Sequence, residues 1–205
     1  MELLKRVYQR SSINMLIFAA CLFAVIALNY KEAILTFQLK QTFLLGFNAF
    51  VIIGITRIID MGTGVNAQVI GTSTYWKFEL ISGIVLLVLM LPLTYILTKQ
   101  YDIIGPAIAS LISVTVYNSI RILFLWIKFR LFPFTIQSAY TVLLAAGCFA
   151  ACYFLFLGMH GFGSLVLRSL SFFILYFAGI VYLKLSPDVK PVLQTISKRL
   201  KRRKD

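Results

Sequence analysis

Residues 80–97 read Leu-Ile-Ser-Gly-Ile-Val-Leu-Leu-Val-Leu-Met-Leu-Pro-Leu-Thr-Tyr-Ile-Leu, with Glu79 just before and Lys99 shortly after. No charge interrupts the stretch. A helix that crosses the hydrocarbon core of a bilayer needs about 20 apolar residues, with a working range of about 17–25. The stretch is apolar around most of the helix circumference rather than along one stripe, as a lipid-facing helix is. Five further stretches are long and mostly apolar in the same way: residues 12–28, 43–59 with Arg57 at its charged edge, 103–127 carrying Arg121, 138–157, and 165–185 with Arg168 near its start. The expected fold class is therefore all-α integral membrane, a six-helix transmembrane bundle over residues 1–186, followed by a basic cytoplasmic tail over 187–205.

Composition supports this reading. Of the 205 residues, 60% are hydrophobic and 13% charged, and the mean hydropathy is +0.89. Soluble domains sit nearer 45–50% apolar and about 25% charged. A water-soluble globule of this size has too much exposed area to hide so much apolar surface. An ordinary cytosolic enzyme, a disordered chain and a disulfide scaffold are thereby excluded. Cys21, Cys148 and Cys152 all lie in apolar stretches, against a disulfide framework. Met1 to Ser12 is charged, and no small-residue cleavage site follows, so no cleavable signal peptide is expected.

The connections carry helix-stop chemistry. Gly158, Gly161 and Gly163 flank Met159-His160 and predict a short hairpin between the fifth and sixth spans. Lys99 to Asp102 predicts a polar turn between the third and fourth. Met61 to Trp76 is uncharged but rich in Gly, Thr, Ser and Asn, and reads as a turn with partial helix at the interface.

The basic residues then set an orientation. With the amino end cytoplasmic, Lys5, Arg6, Arg10, Arg57, Lys77, Lys128, Arg130, Lys184, Lys190 and the cluster Lys198 to Lys204 fall on the cytoplasmic side. Only Lys31, Lys40, Lys99 and Arg168 fall on the other. This bias predicts a multi-pass protein with both termini cytoplasmic. The net charge of +13 would suggest nucleic acid in a soluble domain. Here the cations sit between apolar blocks, so membrane lipids rather than nucleic acid are the expected partners.

Few residues recommend themselves for catalysis. His160 is the single histidine, the seven acids are scattered, and no metal-ligand or phosphate-loop spacing is present. No enzyme activity, metal or cofactor is expected. Cys148 and Cys152, four apart beside Gly147 and Ala151, read as small packing residues. Gly105, Ala109 and Ser113 form a small-residue line on the fourth span, a common helix-packing device in membranes. The informative residues are ionisable groups at membrane depth, which are costly to bury unless paired or hydrated. Arg57 and Asp60 are three apart and share a helix face. Ser110, Ser113, Tyr117 and Arg121 follow one another at steps of three, four and four, a polar stripe ending in a cation, with Asn118 beside it. Two readings stand: a wall of a hydrated path that meets an anionic group, or arginines that snorkel to a nearby membrane edge or pair structurally.

Three stretches carry a family resemblance. Asn66-Ala67-Gln68-Val69-Ile70-Gly71-Thr72-Ser73 with Tyr75-Trp76 resembles the loop between two late spans of polysaccharide-biosynthesis exporters. Ile104-Gly105-Pro106-Ala107-Ile108-Ala109-Ser110 resembles the opening of their next span. Tyr117-Asn118, Arg121, Lys128-Phe129-Arg130 and Pro133-Phe134 resemble its end. The chain thus resembles, over about Tyr8 to Leu185, the O-antigen and capsule flippases of the multidrug/oligosaccharidyl-lipid/polysaccharide exporter superfamily. The resemblance implies a carrier in the bacterial inner (cytoplasmic) membrane that moves undecaprenyl-diphosphate-linked oligosaccharide. It implies two lobes around a cavity, with cavity cations, Arg121 among them, holding the diphosphate. Six spans correspond to the carboxyl-terminal lobe. The amino-terminal lobe is then an expected partner, supplied by the same longer chain or by a separate subunit. The competing expectation is a non-transporting membrane subunit or assembly partner.

Overall fold

In the computed structural model, residues 2–188 are described. Among them, seven α-helices follow one another: α1 (Glu2–Thr36), α2 (Phe47–Gly62), α3 (Asn66–Gly71), α4 (Trp76–Tyr101), α5 (Gly105–Phe129), α6 (Ile136–Leu155) and α7 (Phe162–Tyr182). Short 3-10 turns at Gln41–Gly46 and Asp102–Ile104 lead into α2 and α5. The described residues contain no strand. The protein is an all-α bundle. The expected tail lies outside the described residues, apart from Pro187 and Asp188.

Five continuous helical stretches are long and apolar enough to cross a membrane. One of them, Trp76–Phe129, is 54 residues long and folds back on itself at the Asp102–Ile104 turn. The fold-back follows from its contacts. Phe78 stacks on Phe124 with ring centroids 3.9 Å apart, and Glu79 meets Arg121. The six long helices are α1, α2, α4, α5, α6 and α7. The Met61 to Trp76 segment holds only the six-residue α3.

α1 is the hub. It packs against α2 on one side and against α6 and α7 on the other; α2 then packs on α5, and α5 on α4. At 35 residues, α1 is about 52 Å long, well beyond the ~30 Å hydrocarbon core. Its contact stripe is built from small residues. Ala20 and Ala24 let α6 approach through Ala145, Cys148 and Cys152, and Phe172 and Tyr176 of α7 close the core. All three cysteines are free and buried there, as packing residues would be. The Tyr176 hydroxyl donates to the Ile17 carbonyl, 3.1 Å away, fastening α7 to α1.

Two glycines explain close approaches. A Cβ on Gly105 would sit 2.3 Å from the Leu97 carbonyl oxygen, so the α4–α5 hairpin closes this tightly only because position 105 has no side chain. Ala109 and Ser113 continue that line and are fully buried. A Cβ on Gly54 would meet the Phe23 ring at 2.1 Å, which sets the α1–α2 approach. The α6–α7 connection is a glycine hairpin: Gly158 and Gly161 hold φ of 90° and 93°, in the region that favours glycine.

Contacts also show which ends meet. The start of α1 lies by the end of α2, through Ser12 and Gly62. It also lies by the exit of α7, through Arg10 and Asp188. The far end of α1 meets the start of α7, through Glu32 and Gly161. These define an amino-terminal end and an opposite end of the bundle. α4 is the outermost helix; among its residues only Ser82 is buried.

Candidate functional site

At the amino-terminal end, five helices contribute to one polar knot. Arg121, near the end of α5, is buried to 5% side-chain exposure. Its Nη2 donates to Glu79 at 2.8 Å (Oε2) and 3.0 Å (Oε1). Glu79 sits in the first turn of α4, where the partial positive charge of a helix start favours a carboxylate. The guanidinium also lies over the Tyr117 ring, 4.5 Å from its centroid. The Tyr117 hydroxyl reaches the same carboxylate at 3.4 Å.

The second half of the knot faces α2. Asn118 Nδ2 donates to Asp60 Oδ1 at 2.9 Å, and the Thr63 hydroxyl lies 3.3 Å from Asn118 Oδ1. Tyr8 of α1 donates to Asn66 Oδ1 at the start of α3, and Ser12 donates to the Gly62 carbonyl. Tyr8, Asn66 and Asn118 are all essentially inaccessible. Within the knot, Arg121 Nε and Asn66 Nδ2 are buried donors without a partner among the described residues. Burying such groups is costly.

The structure brings together Asp60, Tyr117, Asn118 and Arg121. Tyr117 and Arg121 turn toward α4, while Asn118 turns toward α2. Ser113 is buried with its hydroxyl unpartnered among the described residues, and Ser110 is half-buried. Arg57 stands at 3.9 Å from Asp60 with a 68% exposed side chain, a weak surface pair. Arg121 is held inside the hairpin by Glu79, the structural pairing that burial of a cation calls for. Glu79 is the residue that sequence reasoning missed. It read as one of the scattered acids, 42 positions from its partner, and only the hairpin joins them.

A smaller knot ties the opposite end. Glu32 of α1 is buried at 6% exposure. Its Oε1 accepts the Gly161 N–H at 2.8 Å, and its Oε2 lies 3.0 Å from His160 Nδ1. Arg168 of α7 donates to the carbonyls of Phe156 (2.8 Å) and Met159 (2.6 Å) and so shapes the same hairpin. Burial pushes the Glu32 carboxyl up. The Gly161 N–H, the His160 contact and the Arg168 charge outweigh it and hold the carboxyl below its usual value.

The basic residues of α1's first turns, of the α2 and α5 ends and of the α4 start share the amino-terminal end with the larger knot. No protein-family model, no curated protein and no solved structure matches this chain.

Proposed function

We propose that the chain is the carboxyl-terminal part of a transporter that flips undecaprenyl-diphosphate-linked oligosaccharide across the bacterial inner membrane for surface polysaccharide synthesis, with both termini cytoplasmic. The observation that carries this is the buried Arg121–Glu79 pair inside the hairpin of two long apolar helices. An ionisable residue there is by default a functional hypothesis, because its burial is expensive. The order of the Asn66–Trp76, Ile104–Ser110 and Tyr117–Phe134 stretches supports the class of substrate.

The pair suggests how an anion would be handled. Arg121 is buried, whereas the Glu79 side chain is 27% exposed. An incoming diphosphate approaches from the Glu79 side and competes with its carboxylate for the guanidinium. Exchange of one anion for another keeps the buried cation compensated at every stage, avoiding the penalty of a bare charge. Tyr117, on which the guanidinium rests, keeps the cation oriented during the exchange. Rocking of this lobe against an amino-terminal lobe would open the site to either face in turn.

A second reading rests on the same pair. Because Arg121 already has a partner within the bundle, it is also what a purely structural membrane subunit would contain. One experiment separates the two. In cells that depend on this protein for surface polysaccharide, Arg121→Ala and Glu79→Ala are compared with the double exchange Arg121→Glu/Glu79→Arg. Under the transport reading the double exchange restores protein level but not polysaccharide. Restoration of both would overturn the substrate role and leave the structural one.

A further inference from the structure

We propose that a cavity at the amino-terminal end, between the first turns of α1, the start of α6 and the chain leaving α7, binds the phosphate headgroup of an anionic glycerophospholipid. The proposal rests on the membrane-spanning character of the chain and not on the transport reading. The cavity has a volume of about 290 Å³, and Arg6, Gln9 and Arg10 form one wall, with Thr135 and Gln137 opposite. Ile13 and Pro187 supply its apolar part.

The wall is held in place. Arg10 pairs with Asp188, whose other oxygen accepts from Asn14 Nδ2 at 2.6 Å. Gln9 Nε2 donates to the Phe132 carbonyl at 3.2 Å. Arg6 lies one turn before Arg10 on the same face and has no ion-pair partner among the described residues. Across the cavity, Thr135 caps α6 with its side chain in a reciprocal pair with Ser138. The first turn of this 20-residue helix adds the partial positive charge of a helix start to the guanidiniums. Two guanidiniums against one carboxylate leave the cavity with a formal charge of plus one, which a phosphodiester monoanion neutralises.

The apolar surroundings point to a lipid rather than free phosphate. Ile136, Tyr140 and Leu143 form an exposed apolar track on α6 at helical spacing, beginning beside the cavity-lining Thr135 and Gln137, with exposures of 70%, 51% and 66%. An acyl chain hanging from a headgroup at Arg6 has that track to lie on. The cavity stands at the end of the bundle where basic residues gather, where anionic lipids of the inner leaflet are attracted.

The test uses the purified full chain in a neutral detergent. Thermal unfolding is followed with added phosphatidylglycerol, with phosphatidylcholine and with inorganic phosphate. Phosphatidylglycerol should raise the midpoint by about 4 °C through binding to the folded state. Arg6→Gln/Gln137→Ala, which leaves the Arg10–Asp188 pair alone, should lose most of that shift. Lys77→Gln, at the same end but outside the cavity, should retain it. Native mass spectrometry of the unaltered chain gives a readout that needs no variant: phosphatidylglycerol should be retained at least tenfold over phosphatidylcholine, and Arg6→Lys should preserve this. A full shift in the double variant, equal protection by phosphatidylcholine, or equal protection by inorganic phosphate would each overturn the proposal.

Discussion

At the amino-terminal end the buried ion is a cation, Arg121, and its partner Glu79 is the more exposed group. At the opposite end the buried ion is a carboxylate, Glu32, and its partner His160 has a 72% exposed side chain. The first knot joins α4 to α5, and through its neighbours reaches α1, α2 and α3. The second joins α1 to the α6–α7 hairpin. The difference has a chemical consequence. Arginine stays charged at every accessible pH, so the first knot cannot neutralise its buried member. Glutamate can take up a proton, so the second knot loosens in acid.

This asymmetry is open to measurement. The largest loss should come from Glu79→Ala, which leaves a buried guanidinium uncompensated and already one bond short at Nε. We expect about 3 kcal/mol in detergent unfolding. Arg121→Ala should cost less, because the stranded Glu79 carboxylate is partly exposed and can hydrate. If the two losses came out equal, the burial difference between the partners would have no energetic meaning.

Next in size is Gly105→Ala, about 2 kcal/mol, since the added methyl meets the Leu97 carbonyl and the backbone must shift. The expected signature is a loosened α4–α5 hairpin, visible as faster hydrogen exchange around Tyr101–Gly105. Unchanged exchange there would show that the hairpin tolerates a wider approach.

Glu32→Gln should cost about 1–2 kcal/mol at neutral pH, the difference between charge-assisted and neutral hydrogen bonds to Gly161 and His160. The folded carboxyl sits below its usual value. Its contribution is therefore present above the unfolded-state value of ~4.3 and is lost as pH falls through the lower folded-state value. The gap in melting midpoint between the parent chain and Glu32→Gln should be present at neutral pH and close in acid, once the pH has fallen below the lowered folded-state value. A gap that widened in acid would reverse the sign of the argument. The smallest effect belongs to Arg57→Gln, below about 0.5 kcal/mol, because that pair is long and exposed.

The small-residue line was legible on α5. Gly105, Ala109 and Ser113 pack as their spacing suggested, since small side chains four apart have one use wherever helices must touch. The polar residues were legible as a set but not as pairs. Helical spacing placed Ser110, Ser113, Tyr117 and Arg121 on one side, yet it carries no information about which neighbour each one meets. Glu32 and His160 gave no local signal either, because their sequence separation of 128 is bridged only where α6 carries the α6–α7 hairpin to the far end of α1.

The amino-acid sequence by itself determined that this chain is a bundle of long apolar helices. Hydrocarbon-length runs without charge can satisfy their backbone hydrogen bonds in lipid only as helices or closed barrels, and runs of this length fit helices. Which charges neutralise one another was decided by tertiary structure alone. The turn at Asp102–Ile104, with Gly105 against Leu97, sets the register of α5 on α4, and that register brings Glu79 to Arg121. A Coulomb interaction depends on distance in space, and between different helices no spacing along the chain encodes it.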